Sequence, residues 1–321
     1  ARARVGLAAL ADAARLDGPP STYHLGFMLG PRINAGGRIG DAALGARLLL
    51  ERDEIAAAKI AVELDALNEA RRAIERAAVE EAEAQALARD AGRGAGAFVV
   101  VSDEGWHPGI VGLVASRLKD KLGRPTFALA LRGDGAVGSG RSIAGFDIGS
   151  AVGAALRAGV ATKGGGHAMA AGVTLPAGGL EAFRDFLETR FGAAARALEG
   201  VTTLAIDATL TAAGANLERF AEIEAAGPFG QGAPEPIFAF AGHRVLDAAP
   251  VGEEHVRARI GAGDGASLDA IAFRARGTPL GEALLSARGG GPIHVAGSLS
   301  INRWRGAQKM QLRVADAAKA G

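Results

Sequence analysis

Residues 162–172 read Thr-Lys-Gly-Gly-Gly-His-Ala-Met-Ala-Ala-Gly, a run that joins three consecutive glycines to one ammonium and one imidazole. Because glycine has no Cβ, a phosphate or carboxylate can rest directly on the backbone N–H groups of such a loop. Lys163 and His167 would supply charge or directed hydrogen bonds at its rim. Most glycine-rich turns are only structural, so the run by itself leaves an anion site and an ordinary loop both open.

A second glycine-rich loop lies upstream, where residues 138–142 read Gly-Ser-Gly-Arg-Ser. Its arginine presents a planar fork that matches phosphate geometry, and its two hydroxyls add hydrogen-bonding groups. Two loops of this kind in one chain favour an anion site over ordinary turns. The candidate ligand groups of the two loops are Ser139, Arg141, Ser142, Gly165, Gly166 and His167.

Predicted strands and helices alternate around both loops. The predicted elements are strands over 98–101, 125–131 and 170–175, and helices over 109–118, 147–157 and 180–197. The first strand is a continuous apolar run bounded by polar residues and glycine, which is typical of a strand buried on both faces. This alternation predicts an α/β domain over residues 93–200.

Residues 51–92, which precede that domain, predict one long helix. The segment contains no Gly or Pro before residue 92 and is rich in Ala, Glu, Arg and Leu. Its apolar residues at helical spacing include Ile60, Leu64, Leu67 and Ile74. At about 1.5 Å per residue the helix would span roughly 60 Å, more than one small domain needs. We therefore expect a connecting helix, with the turn-rich residues 1–50 forming only part of a domain.

The pattern changes from residue 201 onward, where short runs alternate apolar and polar residues. The clearest of these runs are residues 255–260, 268–273 and 310–314. Such runs predict strands of a small antiparallel β domain over residues 201–321, most simply a barrel. The predicted fold class is therefore α/β followed by β.

Composition excludes several classes of protein. Of the 321 residues 49% are hydrophobic and 22% are charged, and no apolar stretch approaches the roughly 20 residues of a membrane span. We therefore expect a soluble, cytoplasmic protein without membrane contact. The chain has no cysteine, which excludes disulfides and thiolate metal sites. It does not begin with Met, so we expect a piece of a longer protein.

Net charge is only +1, but residues 257–313 carry nine bases and three acids. This patch either contacts a polyanion or is a solvated strand face. Within it, Arg303, Trp304 and Arg305 combine stacking and charge as single-strand-binding loops do, although an aromatic that merely caps the barrel fits equally well.

Three further motifs have both a functional and a structural interpretation. In the turn over residues 30–38, Arg32, Asn34 and Arg38 either grip phosphate or fix an interdomain contact, or they belong to an ordinary charged turn. His107 lies where a strand should end and a helix begin, so it either faces a ligand at the helix N-terminus or caps the turn. Gln231 lies in a Gly- and Pro-rich turn that is either a contact or only a hinge.

Absent motifs narrow the possible chemistry. Neither glycine run fits G-x-G-x-x-G or the P-loop pattern, and there is no G-x-S-x-G. The sequence also shows no cluster of Asp and His in strand-end loops, although hydrolysis of a phosphodiester usually requires one or two metal ions. The sequence therefore predicts a chain that binds phosphate but is poorly equipped to cleave it.

Taken together, the motifs resemble the RecJ family of single-stranded-DNA-specific exonucleases in the DHH/DHHA1 phosphoesterase superfamily. The resemblance runs along nearly the whole chain. The motifs that carry it are 25–27, 31–38, 63–68, 106–112, 138–142, 165–172 and 227–232. It implies the end of a DHH domain at 1–50, a connecting helix at 51–92, a DHHA1 domain with a mixed sheet at 93–200 and an OB-fold barrel at 201–321.

The resemblance also implies function. In that family the DHH domain holds two Mn²⁺ or Mg²⁺ ions that activate water, and nucleotides are released from the 5′ end of single-stranded DNA. By motif, Arg32, Arg38, Ser139, Arg141 and His167 would hold phosphates near the scissile bond. The OB fold would grip DNA farther along. Single-stranded-DNA-binding protein and a RecQ-type helicase are the partners it suggests.

The Asp-His-His triplet that names the DHH domain does not occur in the chain. We therefore expect a fragment that supplies substrate binding for the exonuclease, inactive alone and with no metal held by its own residues. The alternative from another class is a non-catalytic single-stranded nucleic-acid-binding module. An oligonucleotide phosphatase of the same superfamily is a third option, disfavoured because an OB domain suits long strands.

Overall fold

The computed structural model describes residues 3–133, 135–200, 203–230, 232–304 and 307–320, without the side chains of 303 and 304. The chain divides into two units, Ala1–Val201 and Thr202–Gly321. Each unit has its own apolar core, and each is described by itself below. Among the described residues, no helix is both long and apolar enough to cross a membrane.

The first unit begins with short helices packed on the start of the long helix. They are α1 (Val5–Ala13), a π-helical segment (His24–Leu29), α2 (Gly30–Ile39) and α3 (Leu44–Leu50). Their core includes the fully buried Leu10, Leu48 and Leu64. The expectation of a turn over residues 30–38 is wrong, because this segment is α2. Pro31 lies in its first turn, where proline fits a helix without losing a hydrogen bond.

Helix α4 (Glu54–Arg93) is the predicted long helix, 40 residues in one piece. The Asp53 side chain caps it by accepting a hydrogen bond from the N–H of Ala56 at 2.8 Å. Its buried residues are Ala57, Ala61, Leu64, Asn68, Arg71, Glu75, Ala78, Ala82 and Ala86. The buried face therefore runs from an apolar part through three polar residues to a second apolar part.

A five-stranded mixed sheet forms the rest of this unit, in the order β1-β2-β3-β5-β4. Its elements are β1 (Val99–Asp103), α5 (Val111–Leu122), β2 (Thr126–Arg132), β3 (Gly135–Arg141), α6 (Ile148–Arg157), β4 (Lys163–His167), β5 (Ala170–Pro176) and α7 (Leu180–Arg196). β1 is parallel to β2, and the other pairs are antiparallel. Both glycine runs, expected as loops, are therefore strands, because each forms a full ladder with β5.

Helices cover the two faces of this sheet unequally. Phe127, Val173 and Phe183 belong to a core that includes residues of α6 and α7 on one face. α4 and α5 pack on the opposite face around Val101 and Val114. On that second face the residues of β3, β5 and β4 are exposed or half-buried. The open area lies where the glycine-rich strands pair.

The second unit contains a closed barrel. Its elements are β6 (Ala208–Thr209), α8 (Leu217–Ala225), β7 (Phe238–Val251), β8 (His255–Gly261), β9 (Ser267–Ala272), α9 (Pro279–Ser286), β10 (Ile293–Trp304) and β11 (Ala307–Lys319). The barrel order is β7-β8-β9-β11-β10, closed by pairing of β10 with β7. β9 and β11 are parallel, whereas the other barrel pairs are antiparallel. This is the five-stranded Greek-key barrel of the OB fold, so the prediction of a barrel is confirmed.

Candidate nucleic-acid interface

The open face of the sheet is organised in rows by strand register. Ser139 of β3 lies opposite Gly172 of β5, and Gly172 lies opposite Gly165 of β4. A Cβ built on Gly165 would meet no atom within 4 Å, and one on Gly172 would meet only a backbone oxygen at 4.0 Å. Both glycines therefore leave bare backbone on this face, and a ligand can approach the main chain closely.

The next row carries charge at both ends. Arg141 of β3 lies opposite Ala170 of β5, which lies opposite His167 of β4. Neighbouring strands are about 4.8 Å apart, so the backbones of Arg141 and His167 are separated by roughly 10 Å. Between them the face presents only the methyl group of Ala170. A strand of phosphates could lie across this row with a cation or hydrogen-bond donor on each side.

The guanidinium of Arg141 is positioned by its own strand β3 and by helix α5. Its Nη1 donates to Ser139 Oγ at 2.7 Å and to the carbonyl of Gly140 at 2.8 Å. A Cβ on Gly112, in the first turn of α5, would lie 2.8 Å from Arg141 Nη2. Glycine at position 112 therefore leaves the space that the guanidinium occupies beside the helix.

Arg38 is the second cation of the site. Its Nη1 donates to the carbonyl of Gly109 at 3.1 Å, which connects α2 to the turn before α5. Burial lowers the pKa of Arg38, the charge of Arg71 lowers it further, and Glu75 opposes the shift. Burial also lowers the pKa of Arg141, and the second cause is the charge of Arg38. The two guanidiniums are therefore close enough to repel each other.

Neither Arg38 nor Arg141 forms an ion pair with a carboxylate among the residues that the structure describes. Two half-buried like charges without such a partner gain electrostatic stabilisation when an anion arrives. A phosphate has the charge and the acceptor oxygens for this position. The Arg38 and Arg141 pair is the electrostatic centre of the candidate interface.

His107 lies beside this pair. Its Nδ1 accepts a hydrogen bond from the N–H of Gly109 at 3.0 Å, so the imidazole caps the turn that precedes α5. A Cβ on Gly109 would lie only 2.0 Å from the carbonyl oxygen of Arg38, so α2 and this turn touch through their backbones. His107 remains exposed next to the contact. Both interpretations of His107, a cap and a ligand, are compatible with this geometry.

Arg32 and Asn34 have different surroundings. Arg32 Nε forms an ion pair with Asp65 at 2.7 Å, and Nη1 donates to the carbonyl of Met28 at 2.8 Å. Arg32 thus connects α2 to α4, two helices of the same unit. Asn34 is exposed and lies one helical turn before Arg38 on the same side of α2. A role for either residue in phosphate binding stays a prediction.

His167 lies at the N-terminus of α6. A Cβ on Gly149 would be 3.0 Å from the backbone of His167, so helix and strand are in close contact there. Asp147 caps this helix, and its pKa is lowered because the backbone N–H and the hydroxyl of Ser150 donate to the carboxylate. The imidazole itself is exposed. It is therefore available to a ligand on the open face.

Two predicted ligand groups point elsewhere. Ser142 is 1% exposed, and its hydroxyl donates to the carbonyl of Phe146 at 2.6 Å. A Cβ on Gly166 would lie 2.5 Å from Ala171 Cα, so this glycine permits close packing within the hairpin. Each residue thus has a structural explanation, and its role as a ligand group stays a prediction.

The predicted contacts of the second unit fall largely outside the described residues. Gln231 and Arg305 are not described, and only the backbone of Arg303 and Trp304 is described, at the end of β10. The stacking and charge expected of this loop stay predictions.

A buried polar network on α4 was missed by the sequence reasoning. Arg71 donates to Glu75 at 2.5 Å and to Asn68 Oδ1 at 3.1 Å. Arg117 of α5 reaches the other oxygen of Glu75 at 3.3 Å. Through Glu75 the network connects α4 to α5, next to Arg38. The signal in the sequence is the i, i+3, i+7 spacing of three polar residues, which continues the buried stripe of the helix.

Fold and site together define a two-unit protein with an α/β domain, whose open sheet face carries exposed glycine backbone beside two arginines, and an OB barrel. Family comparison matches residues 94–193 to the DHHA1 domain and residues 206–316 to the RecJ OB domain. The chain contains a DHHA1 domain and a RecJ OB domain, and the resemblance to the RecJ family carried by its motifs is confirmed.

Curated relatives and solved structures agree. The single-stranded-DNA-specific exonuclease RecJ of Escherichia coli strain K12 is 37% identical over 97% of this chain and 54% of its own length. That of Bacillus subtilis strain 168 is 31% identical over 98% and 39%. The structure of RecJ in complex with Mn²⁺ from Thermus thermophilus superposes with a TM-score of 0.80 and 29% identity, covering 99% of this chain and 44% of that chain. The chain thus spans about half the length of the relatives it matches.

Proposed function

We propose that this chain is the substrate-binding part of a RecJ-type exonuclease that hydrolyses single-stranded DNA from the 5′ end in recombination and repair. The observation that carries the proposal is the pair Arg38 and Arg141, two half-buried cations beside a sheet face on which Gly165 and Gly172 leave the backbone uncovered. The relatives that match nearly the whole chain bear the name of this activity.

In this proposal each part of the face has one task. Arg38 and Arg141 neutralise a phosphate, and Ser139 keeps the Arg141 guanidinium in position. Gly165 and Gly172 let the DNA backbone approach the sheet, because no side chain stands above them. His167 contacts the strand on the far side of the same row. Phosphate contacts of this kind position a strand without reading its sequence.

The metal ions of the proposed exonuclease do not fit this chain's own residues. Related RecJ structures are in complex with Mn²⁺ or Mg²⁺, ions that oxygen ligands hold. Within the described ranges, no three His, Asp or Glu side chains come together as a metal site would require. We therefore assign the ions to the half of the RecJ relatives that this chain does not span, and we derive no catalytic step through them.

The proposed partners follow from the same assignment. Single-stranded DNA is the substrate, and single-stranded-DNA-binding protein and a RecQ-type helicase are partners of the intact enzyme. The protein is proposed to act in the cytoplasm. The second unit is proposed to bind the strand farther along through its OB barrel, since such barrels bind oligonucleotides.

A non-catalytic single-stranded nucleic-acid-binding module is the second candidate function. It is favoured because the described residues include no cluster of side chains that could hold a metal ion. A complete reading frame that encodes an Asp-His-His segment upstream of residue 1 would support the exonuclease. A natural start at residue 1 would support the binding module.

The decisive experiment measures binding and cleavage by the chain of 321 residues. We expect salt-sensitive binding to labelled (dT)20, with no Mn²⁺-dependent digestion of the oligonucleotide. Arg141→Ala should weaken binding about tenfold and reduce the salt slope by about one. Arg72→Ala, which removes an exposed arginine of α4 paired with Glu69, is the matched control and should change neither. Equal affinities of both variants and wild type would remove Arg141 from the interface.

A further inference from the structure

A second group of arginines lies at the β1 edge of the sheet, away from the glycine-rich face. The end of α4, strand β1 and helix α7 enclose a cavity of about 250 Å³ there. β1 and β4 are the two edge strands of the sheet, with three strands between them. The arginines that line the cavity are Arg89, Arg93, Arg184 and Arg196.

Charge is unbalanced at this cavity. Three guanidiniums converge on the single carboxylate of Glu181: Arg184 bonds it directly, Arg89 approaches to 3.4 Å and Arg93 to 3.9 Å. The fourth arginine, Arg196, is neutralised by Glu188 at 2.8 Å. Asp90, which also lines the cavity, is paired with Arg124 at 2.5 Å. Among the described residues at the cavity, the one negative charge of Glu181 therefore faces the three positive charges of Arg89, Arg93 and Arg184.

The electrostatic consequences are visible in both partners. Burial lowers the pKa of Arg184, and the charges of Arg89 and Arg93 lower it against the opposing effect of Glu181. Burial alone would raise the pKa of Glu181, but Arg184 and Arg89 outweigh it, so its pKa is lowered. The carboxylate of Glu181 is thus already paired with three guanidinium groups. A further anion would relieve the repulsion among the three guanidiniums.

The three arginines differ in freedom of movement. Arg184 is fixed, since its Nη2 donates to the carbonyl of Val100 on β1 at 2.7 Å and its side chain is 14% exposed. Its Nε is buried and has no hydrogen-bond partner among the described residues. Arg93 is 71% exposed and Arg89 is 35% exposed. The last two can therefore turn from Glu181 towards an incoming ligand while Arg184 holds the charge in place.

We propose that this cluster is a second anion site, which binds a phosphate group of a nucleotide or of a nucleic-acid strand. Arg89 and Arg93 contact the phosphate oxygens, and Arg184 contributes its charge from the strand edge. The cavity admits a phosphate without rearrangement of the sheet. The site is independent of the Arg38 and Arg141 pair, so it stands whether or not the proposed exonuclease function is correct.

The test uses the full chain carrying Arg38→Ala and Arg141→Ala, which removes the first site. Calorimetry with inorganic phosphate, dTMP and (dT)20 should still detect binding. Adding Arg89→Ala and Arg93→Ala should weaken the binding of the probe that occupies the cluster at least tenfold and leave only the (dT)20 binding proposed for the barrel, whereas adding Arg72→Ala should change neither. Binding of dTMP that the Arg89 and Arg93 substitutions abolish identifies a nucleotide phosphate as the ligand, and (dT)20 binding that they weaken while dTMP does not bind identifies a phosphodiester. If they leave (dT)20 binding unchanged and neither small probe binds, the binding belongs to the barrel and the proposal is wrong.

Glu181→Gln separates an anion site from a purely structural ion cluster. Loss of its negative charge should raise phosphate affinity about threefold, because it removes a repulsive charge within a few ångströms of the ligand. A structural cluster would show lower stability and no gain in affinity. If none of the three probes binds, or if Glu181→Gln fails to raise affinity in a folded protein, the proposal is wrong.

Discussion

Gly112→Ala should make the first unit more stable and its binding of single-stranded DNA weaker. Gly112 is the second residue of α5, where alanine is the better helix former. Its new Cβ would lie 2.8 Å from Arg141 Nη2 and 3.2 Å from Ser139 Oγ. Both atoms are ends of side chains, so the backbone can keep its place while the guanidinium is pushed away from Ser139.

The two effects have magnitudes that can be separated. Replacing a helical glycine by alanine stabilises a protein by about 0.5–1 kcal/mol. Nη2 must move by about 0.6 Å to reach an ordinary contact distance of 3.4 Å. A hydrogen bond to a charged group contributes about 1.5–3 kcal/mol, so partial loss of the phosphate contact should cost about 1–2 kcal/mol. That corresponds to an approximately five- to thirtyfold increase in Kd.

Anisotropy of labelled (dT)20 measures the affinity, and urea unfolding followed by circular dichroism measures the stability. Gly153→Ala is the matched control, because its Cβ in α6 would meet only Arg157 Nη1, at an ordinary 3.5 Å. It should give a similar gain in stability and leave affinity unchanged. If Gly112→Ala binds DNA as tightly as Gly153→Ala, Arg141 does not contact the strand.

Three further predictions concern other parts of the first unit. Glu75→Gln should lower the free energy of unfolding by about 3 kcal/mol in urea unfolding, because buried Arg71 loses its charge partner. The control Glu69→Gln, at an exposed ion pair, should change the same free energy by less than about 0.5 kcal/mol. Gly172→Val should fold normally yet weaken (dT)20 binding in the anisotropy assay, since the valine side chain would cover the open face. Unchanged affinity would show that the DNA does not approach the backbone at Gly172. The folded-state pKa of Asp147 is lowered, so the stability that its cap contributes is present above the ordinary pKa of Asp and is lost as the pH falls through the folded pKa. Asp147→Asn should remove this acid-dependent loss of stability when urea unfolding at pH 7 is compared with urea unfolding at pH 3, and an unchanged loss would exclude Asp147 as its source.

Sequence reasoning located the glycine runs and Arg141 but gave the wrong local structure. Gly138–Arg141 and the run at Lys163–His167 were expected as loops because glycine disfavours strands. Both pair along their whole length with Ala170–Pro176, and this long-range pairing overrides local preference. The row that places Arg141 and His167 on one face follows from register, which sequence spacing alone does not provide.

The buried network on α4 shows a different reason for failure. Asn68, Arg71 and Glu75 lie in a helix crowded with charged residues, where such side chains are typical of a solvated surface. Ile74, expected in the apolar stripe, is 39% exposed instead. Only the approach of α2 and α5 from outside the helix decides which face is buried. Likewise, alternation predicted the barrel strands, but it could not predict the parallel pairing of β9 with β11.

Because α4 is one unbroken helix, the residues that it contributes to the core at one end of the first unit are fixed in rotation relative to those that it contributes to the core at the other end. Consecutive residues of a helix are turned by about 100°, so deletion of one residue between Leu64 and Ala78 would rotate one apolar core out of line with the other. Insertion of seven residues, close to two full turns, would restore the phase but separate the cores by a further 10 Å or so. Arg38 and Arg141, which belong to the two ends, can therefore meet only at one helix length.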